Sequence, residues 1–321
     1  MSGCGGGTAS LAPIATTAAD SSRARSASWV SPEAAKLPTL LYVANESSVN
    51  IYAYANGVAG KLVGQILGLD SAEGMCTDKA GDVWITQYEP HLITEYAHVG
   101  KTPITTIHRA KGSPTGCAVN PSSGDLAVTY NHPNAHAGEL FALVYIYPHG
   151  EEPGAKPYTN STGLTFAYFL AYDDNGNLYM DGLGCYYGSC DPSNIAVLML
   201  LKPGASVFNP VAISGANIRS PRGLSWIKPT LLIGDSAYGN TNTSDGYKLL
   251  VTKNEAKVVQ TIPYSHTGEF WGSTVRAGNV IVPDQTNSVV RTYSLADGSL
   301  LSTLKHDLKH PFSAVISQVG K

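Results

Sequence analysis

Charge is what this sequence has least of. Asp, Glu, Lys and Arg make up 14% of its 321 residues, where an average globular chain carries roughly 25%. No basic run occurs, and a net charge of -3 with an isoelectric point near 6.3 gives no field that would gather nucleic acid or an anionic membrane. No apolar run approaches the roughly 18 to 20 residues that span a bilayer. The five cysteines include no Cys-x-x-Cys, which argues against a zinc ribbon and a thioredoxin-like redox site. Gly-x-Ser-x-Gly and phosphate-cradling glycine loops are missing too, so no nucleophile elbow or nucleotide-binding loop is expected.

Turn formers and apolar residues are abundant instead: 33 Gly, 19 Pro and 18 Tyr in a chain that is 43% hydrophobic. That is the profile of an all-β protein with a substantial core. Residues 1–36 are rich in Gly, Ala, Ser and Thr without periodicity and read as a flexible leader, although Trp29 and Val30 are large enough to pack on the domain that follows. Residues 37–321 read as one domain.

The clearest unit in that domain is Gly74 to Gln87, an apolar run, a tight Asp-Lys-Ala-Gly-Asp turn and a second apolar run. Related copies begin at Gly116, Phe169, Gly223 and Gly272. Half a unit opens the domain (Thr39 to Asn45) and the other half closes it (Pro311 to Ser317). The second strands start near Leu41, Val83, Leu126, Leu178, Leu231 and Val280, a period of about 42 to 53 residues with room for four short strands, which predicts a six-bladed β-propeller. The C-terminal strand is expected to pair with the N-terminal blade and close the ring.

The phrases EGMCTDKAGDVWIT and YDDNGNLYMDG resemble NHL-type repeats, of the kind found in bacterial secreted proteins and lipoproteins. The resemblance covers nearly all of residues 40–317 and implies the six-bladed fold. Two copies depart from it: Tyr168-Phe169 stands where Pro-x-Gly is expected, and the turn Val275 to Asn279 lacks its Asp. Ser2-Gly3-Cys4 resembles the end of a lipoprotein signal, which implies a lipid on Cys4, an extracytoplasmic location and membrane contact through that lipid alone. Cys185 and Cys190 are read as a local pair, and Cys76 and Cys117 as inert core thiols facing opposite sides of their strands.

The loops entering innermost strands and leaving second strands open on one face, around the channel. The residues just before the innermost strands are Glu73, Thr115, Tyr168, Arg222, Trp271 and Phe312, with Glu73 and Arg222 opposite each other across a six-fold ring. Asn45, Gln87, Tyr130, Asp181, Asp235 and Asp284 end the second strands. Oxygen donors in that number suit a hard cation such as Ca²⁺. In gluconolactonase-like propellers a Glu, an Asn and an Asp hold a divalent metal, and the nearest residues by type are Glu73, Asn45 and Asp235 or Asp284. His91, His132, His136, His266 and His310 lie in loops of this face, and His266 near Glu269 is a candidate general base. Asp173 to Asn177 looks like a calcium loop but occupies the ordinary turn of the repeat, so it is read as a turn.

The expectation is a monomeric binding module for a small molecule, glycan or protein, with Tyr130, His132, His136, Tyr168, Arg222, Trp271 and Phe312 at the mouth. The alternative is a metal-dependent lactonase, hydrolase or lyase using Glu73, Arg222, His266 and Glu269, with Glu73, Asn45, Asp181, Asp235 and Asp284 as metal ligands.

Overall fold

A computed structural model describes residues 27–108, 112–131, 142–161, 164, 166–184, 196–236 and 244–320. Among these the strands form six blades, and no α-helix occurs. Blade 1 carries Thr39–Asn45, Ser48–Ala55 and Val58–Leu67, with Pro311–Gln318 as its innermost strand. Blade 2 is Ala72–Thr77, Val83–Gln87, Leu92–Tyr96 and Thr105–Ile107. Blade 3 is Ser113–Val119, Leu126–Asn131, Ala142–Tyr147 and Lys156–Asn160. Blade 4 is Phe166–Tyr172, Leu178–Leu183, Ala196–Leu201 and Val207–Ser214. Blade 5 is Pro221–Ile227, Thr230–Asp235, Asp245–Thr252 and Glu255–Pro263. Blade 6 is Thr274–Arg276, Asn279–Asp284, Val289–Ser294 and Leu300–Leu304.

The ring closes as the half-units demand. Thr39 lies opposite Gln318 and Asn45 opposite Pro311, so the two ends of the domain share one sheet. Trp29–Val30 adds a short fifth strand to blade 1, against Gln65 and Gly64.

The turns between first and second strands repeat one chemistry. The Asp78 N–H donates to the Asp82 carbonyl at 3.1 Å, Asn120 to Asp125 at 2.8 Å and Asp173 to Asn177 at 2.9 Å. Asp173 Oδ1 also accepts from the Asn175 and Asn177 N–H groups, so Asp173 to Asn177 is the turn that its place in the repeat predicts.

Inside a blade, alternate side chains face alternate neighbours. Val83 and Ile85 pack toward blade 1, whereas Trp84 packs toward blade 3. The same alternation corrects the reading of Cys76 and Cys117 as separate inert thiols, because the two are joined in a disulfide with Cα atoms 5.7 Å apart. Cys76 stands two residues after Gly74 and Cys117 one residue after Gly116, so they face opposite sides of their own strands. In successive blades those opposite sides are the ones that meet. Cys4, Cys185 and Cys190 lie outside the described residues.

Glycine lets the innermost strands crowd the axis. A methyl on Gly74 would fall on the Thr115 carbonyl oxygen, and one on Gly116 on the Tyr168 carbonyl oxygen. Thr86 and Thr129 bind this junction together. The Thr86 hydroxyl accepts from Gly74 N–H at 2.8 Å and donates to Thr115 O at 2.6 Å. The Thr129 hydroxyl accepts from Gly116 N–H at 2.7 Å and donates to Tyr168 O at 2.8 Å.

At the rim, blades 3, 4 and 5 are continuous. Thr159 and Asn160 pair in parallel with Val207 and Phe208, and Ala212, Ile213 and Ser214 with Glu255, Ala256 and Lys257. Among the described residues, blades 1, 2 and 6 share no such rim pairing.

Candidate functional site at the channel mouth

Each blade brings one residue to the channel mouth at or near the start of its innermost strand, within the strand in every blade but the sixth, and four successive blades bring theirs into contact. The Arg222 guanidinium of blade 5 is held between two rings, with its central carbon 4.2 Å from the Tyr168 centroid of blade 4 and 3.8 Å from the Trp271 centroid of blade 6. Phe312 of blade 1 stacks on Trp271 at 4.8 Å with planes 20° apart. Trp271 is further fixed by its Nε1–H, which donates to Gln285 Oε1 at 3.2 Å. Phe166 extends the row beyond Tyr168, parallel to it at 6.3 Å. Sandwiching a guanidinium between aromatic faces is favourable and costs it no N–H donors.

Arg222 is 3% exposed. Its Nη1 donates to the Pro221 carbonyl at 2.9 Å, and its Nε has no partner among the described residues. Glu73 of blade 2 keeps part of its surface open, yet protein crowds it closely enough that desolvation pushes its pKa up to about 8, against a lowering pull from Arg222. Thr115 of blade 3 is spent on structure, its hydroxyl 2.8 Å from that of Thr129. Glu73, Tyr168, Arg222, Trp271 and Phe312 are therefore the predicted residues that share this mouth.

The second-strand ends do something else. Asn45 Oδ1 accepts from the Lys309 N–H, Gln87 Oε1 from Asp70 N–H at 3.2 Å, and Asp235 Oδ1 from Ser220 N–H at 2.7 Å and Arg219 N–H at 3.1 Å. Asp284 accepts from the N–H groups of Gly268 and Asn287 and is ion-paired with Arg291. Each pins the loop entering the innermost strand of its own blade, and the carboxylates of Glu73, Asp181, Asp235 and Asp284 form no group within ligating reach of one another. Among the described residues, the carboxylate trio that does lie within 4.8 Å is Asp78, Asp82 and Glu95, on blade 2 around its first turn.

Asp181 is wholly buried. Its Oδ1 accepts from Phe169 N–H at 2.6 Å, while Oδ2 has no partner among the described residues. Burial raises its pKa to about 7, offset in part by the Phe169 N–H and by Arg222. Tyr130 stands away from the mouth, fully buried between blades 2 and 3 with its hydroxyl 2.6 Å from that of Tyr147. No hydrogen bond or ion pair joins His266 to Glu269 among the described residues. His91 Nδ1 lies 3.4 Å from Ser113 Oγ, and the His310 N–H donates to Ser288 Oγ at 3.3 Å. His132 and His136 lie outside the described residues.

Six four-stranded sheets set around an axis, and sealed by a strand from the far end of the chain, settle the architecture. The fold is a β-propeller. A chain of the nidogen/laminin complex superimposes on it with a TM-score of 0.70 at 16% identity, over 88% of this chain and 100% of that one. Hydrazine synthase of Kuenenia stuttgartiensis gives a TM-score of 0.59 at 10% identity, over 85% of each chain. At such identities the likeness is one of fold alone. No family model and no curated protein matches the sequence.

Sequence reasoning missed Phe166, Gln285 and the Cys76–Cys117 bridge. The row had a signal, because Tyr168, Arg222, Trp271 and Phe312 hold the same position in aligned copies of the repeat, whereas Phe166 does not. Nothing local marks Gln285 as the partner of Trp271.

Proposed function

We propose that this protein is an extracytoplasmic, NHL-like propeller that acts as a binding module, taking a small molecule, glycan or protein on its channel-mouth face. The observation that carries this reading is the row Phe312, Trp271, Arg222 and Tyr168. Four blades contribute one residue each to a preorganised apolar and cationic floor, and such preorganisation lowers the ordering cost of binding. A propeller from the nidogen/laminin complex, a protein–protein assembly, lends support by fold analogy. The disulfide fits an oxidising compartment, and a lipid on Cys4 would tether the domain there. Trp271→Ala tests the reading: it is expected to weaken ligand retention by the folded ring. Retention unchanged, with the ring still folded, would rule out this mouth.

One observation favours a second reading. A carboxyl whose pKa is near 8 is poised for proton transfer at neutral pH, so Glu73 is the general acid or base of the hydrolase or lyase alternative. Its metal-dependent form would also draw on Asn45, Asp235 and Asp284, whose side-chain oxygens already hold backbone N–H groups. Elemental analysis of the purified protein and lactone or ester turnover by Glu73→Gln decide it. Equal turnover by wild type and variant would remove Glu73 from any such role.

A further inference from the structure

Arg222 is a buried cation with no ion pair among the described residues. The two carboxyls whose pKa values respond to it, Glu73 and Asp181, form no ion pair with it within 4.0 Å, and burial raises both toward or above neutrality. Its charge thus has no carboxylate paired directly with it among the described residues. An unpaired charge in a protein interior is expensive. The side chain is nevertheless locked in place, its faces against Tyr168 and Trp271 and its Nη1 on the Pro221 carbonyl. What remains is the Nε–Nη2 edge, of which Nε is enclosed without an acceptor and Nη2 makes no hydrogen bond to a described residue. That edge is one of the two on a guanidinium that grip a carboxylate with two parallel N–H···O bonds.

We propose that the channel mouth is a carboxylate site, in which the free Nε–Nη2 edge of Arg222 grips the anion and the Glu73 carboxyl donates its O–H to the same group. The inference rests on the mouth being the binding face and adds the chemistry of what is bound there. It selects a small molecule bearing a carboxylate over its neutral counterpart. Glu73, when protonated, places no second negative charge against the ligand and supplies a donor where an ionised carboxylate would repel.

Glucuronate and glucose separate the two possibilities, since they share a ring and differ by the carboxylate, and acetate supplies the carboxylate alone. The readout is the indole N–H resonance of Trp271, assigned with Trp271→Phe, in the full chain labelled with nitrogen-15. Glucuronate and acetate are expected to shift it saturably and glucose to leave it in place. Arg222→Lys keeps the charge but loses the planar edge, and should weaken glucuronate binding by about ten-fold or more. Glu73→Leu removes the O–H donor and leaves Arg222 in place, so it should weaken glucuronate binding by about ten-fold, and unchanged affinity in the folded variant would overturn the proposal. It keeps the proposal testable if the lysine variant does not fold. Equal shifts with glucose and glucuronate would overturn the carboxylate site while leaving the mouth as a binding face. Unchanged binding by a folded Arg222→Lys protein would overturn it in the same way. A resonance unmoved by every probe would overturn the carboxylate site, whereas the binding face itself falls only with the Trp271→Ala retention test.

Discussion

Asp181 takes in blade 4 the place that Thr129 takes in blade 3. Each accepts a hydrogen bond from the N–H of an innermost strand, Asp181 from Phe169 at 2.6 Å and Thr129 from Gly116 at 2.7 Å. The threonine hydroxyl then donates onward to the next strand, whereas a carboxylate has no proton to give.

This substitution has a pH signature. The pKa of Asp181 is about 7 in the folded chain and about 4 when unfolded. The folded state holds the proton more tightly, so this residue's contribution is most favourable below about pH 4, declines up to about pH 7 and is flat above, with a total of order a few kcal/mol. Asp181→Asn removes the ionisation. Its melting temperature relative to wild type is expected to rise between pH 4 and pH 7 and then level off. A constant difference across that range would contradict the assignment.

The disulfide closes a separation of 41 residues. Cys76→Ser with Cys117→Ser should cost about 2–4 kcal/mol in urea unfolding. Dithiothreitol should lower wild-type stability by a similar amount and leave the double variant unchanged.

Gly116→Ala puts a methyl on the Tyr168 carbonyl oxygen, at a junction made of backbone. A loss of about 2–3 kcal/mol or more is expected. Gly204 has φ +78 and open space around it, so Gly204→Ala should cost about 1 kcal/mol. Thermal melts of the two variants measure the difference between crowding and conformational strain.

Removing residues 311–321 takes the innermost strand from blade 1 and uncovers the Thr39–Asn45 strand along its whole length. The truncated chain is expected to lose its cooperative unfolding transition, observed by near-ultraviolet circular dichroism. A sharp melt close to that of the full chain would show that the seal is dispensable.

The blades were legible because their signals are local. Turns such as Asp78 to Asp82 and the split unit at the two ends are written in consecutive residues. The faces of the strands were harder to read. Matching Asp181 to Asp235 and Asp284 by residue type set blade 4 one position out of register, and one position turns a side chain to the opposite face of a strand. The hydrogen bonds align Asp181 with Thr86 and Thr129 instead. Tyr130 holds the strand-end position but turns into the seam between blades, where it meets Tyr147. The bridge between Cys76 and Cys117 depends on two strands from different repeats lying side by side, which no single stretch of sequence states.

The rim pairing divides the ring. Backbone hydrogen bonds join blades 3, 4 and 5 into one continuous arc, and the disulfide ties blade 2 to blade 3. Among the described residues, the seams between blades 5 and 6, 6 and 1, and 1 and 2 have no such backbone pairing at the rim and are closed by packed apolar side chains and by contacts such as Gly272 N–H to Phe312 O at 2.9 Å and Ser313 to the Glu73 carbonyl. Arg222, Trp271, Phe312 and Glu73 each belong to a different one of those four blades, in that order. The side of the ring whose seams lack rim pairing therefore carries four of the five mouth residues, and Tyr168 of blade 4 joins them from the rim-paired arc across the Arg222 guanidinium.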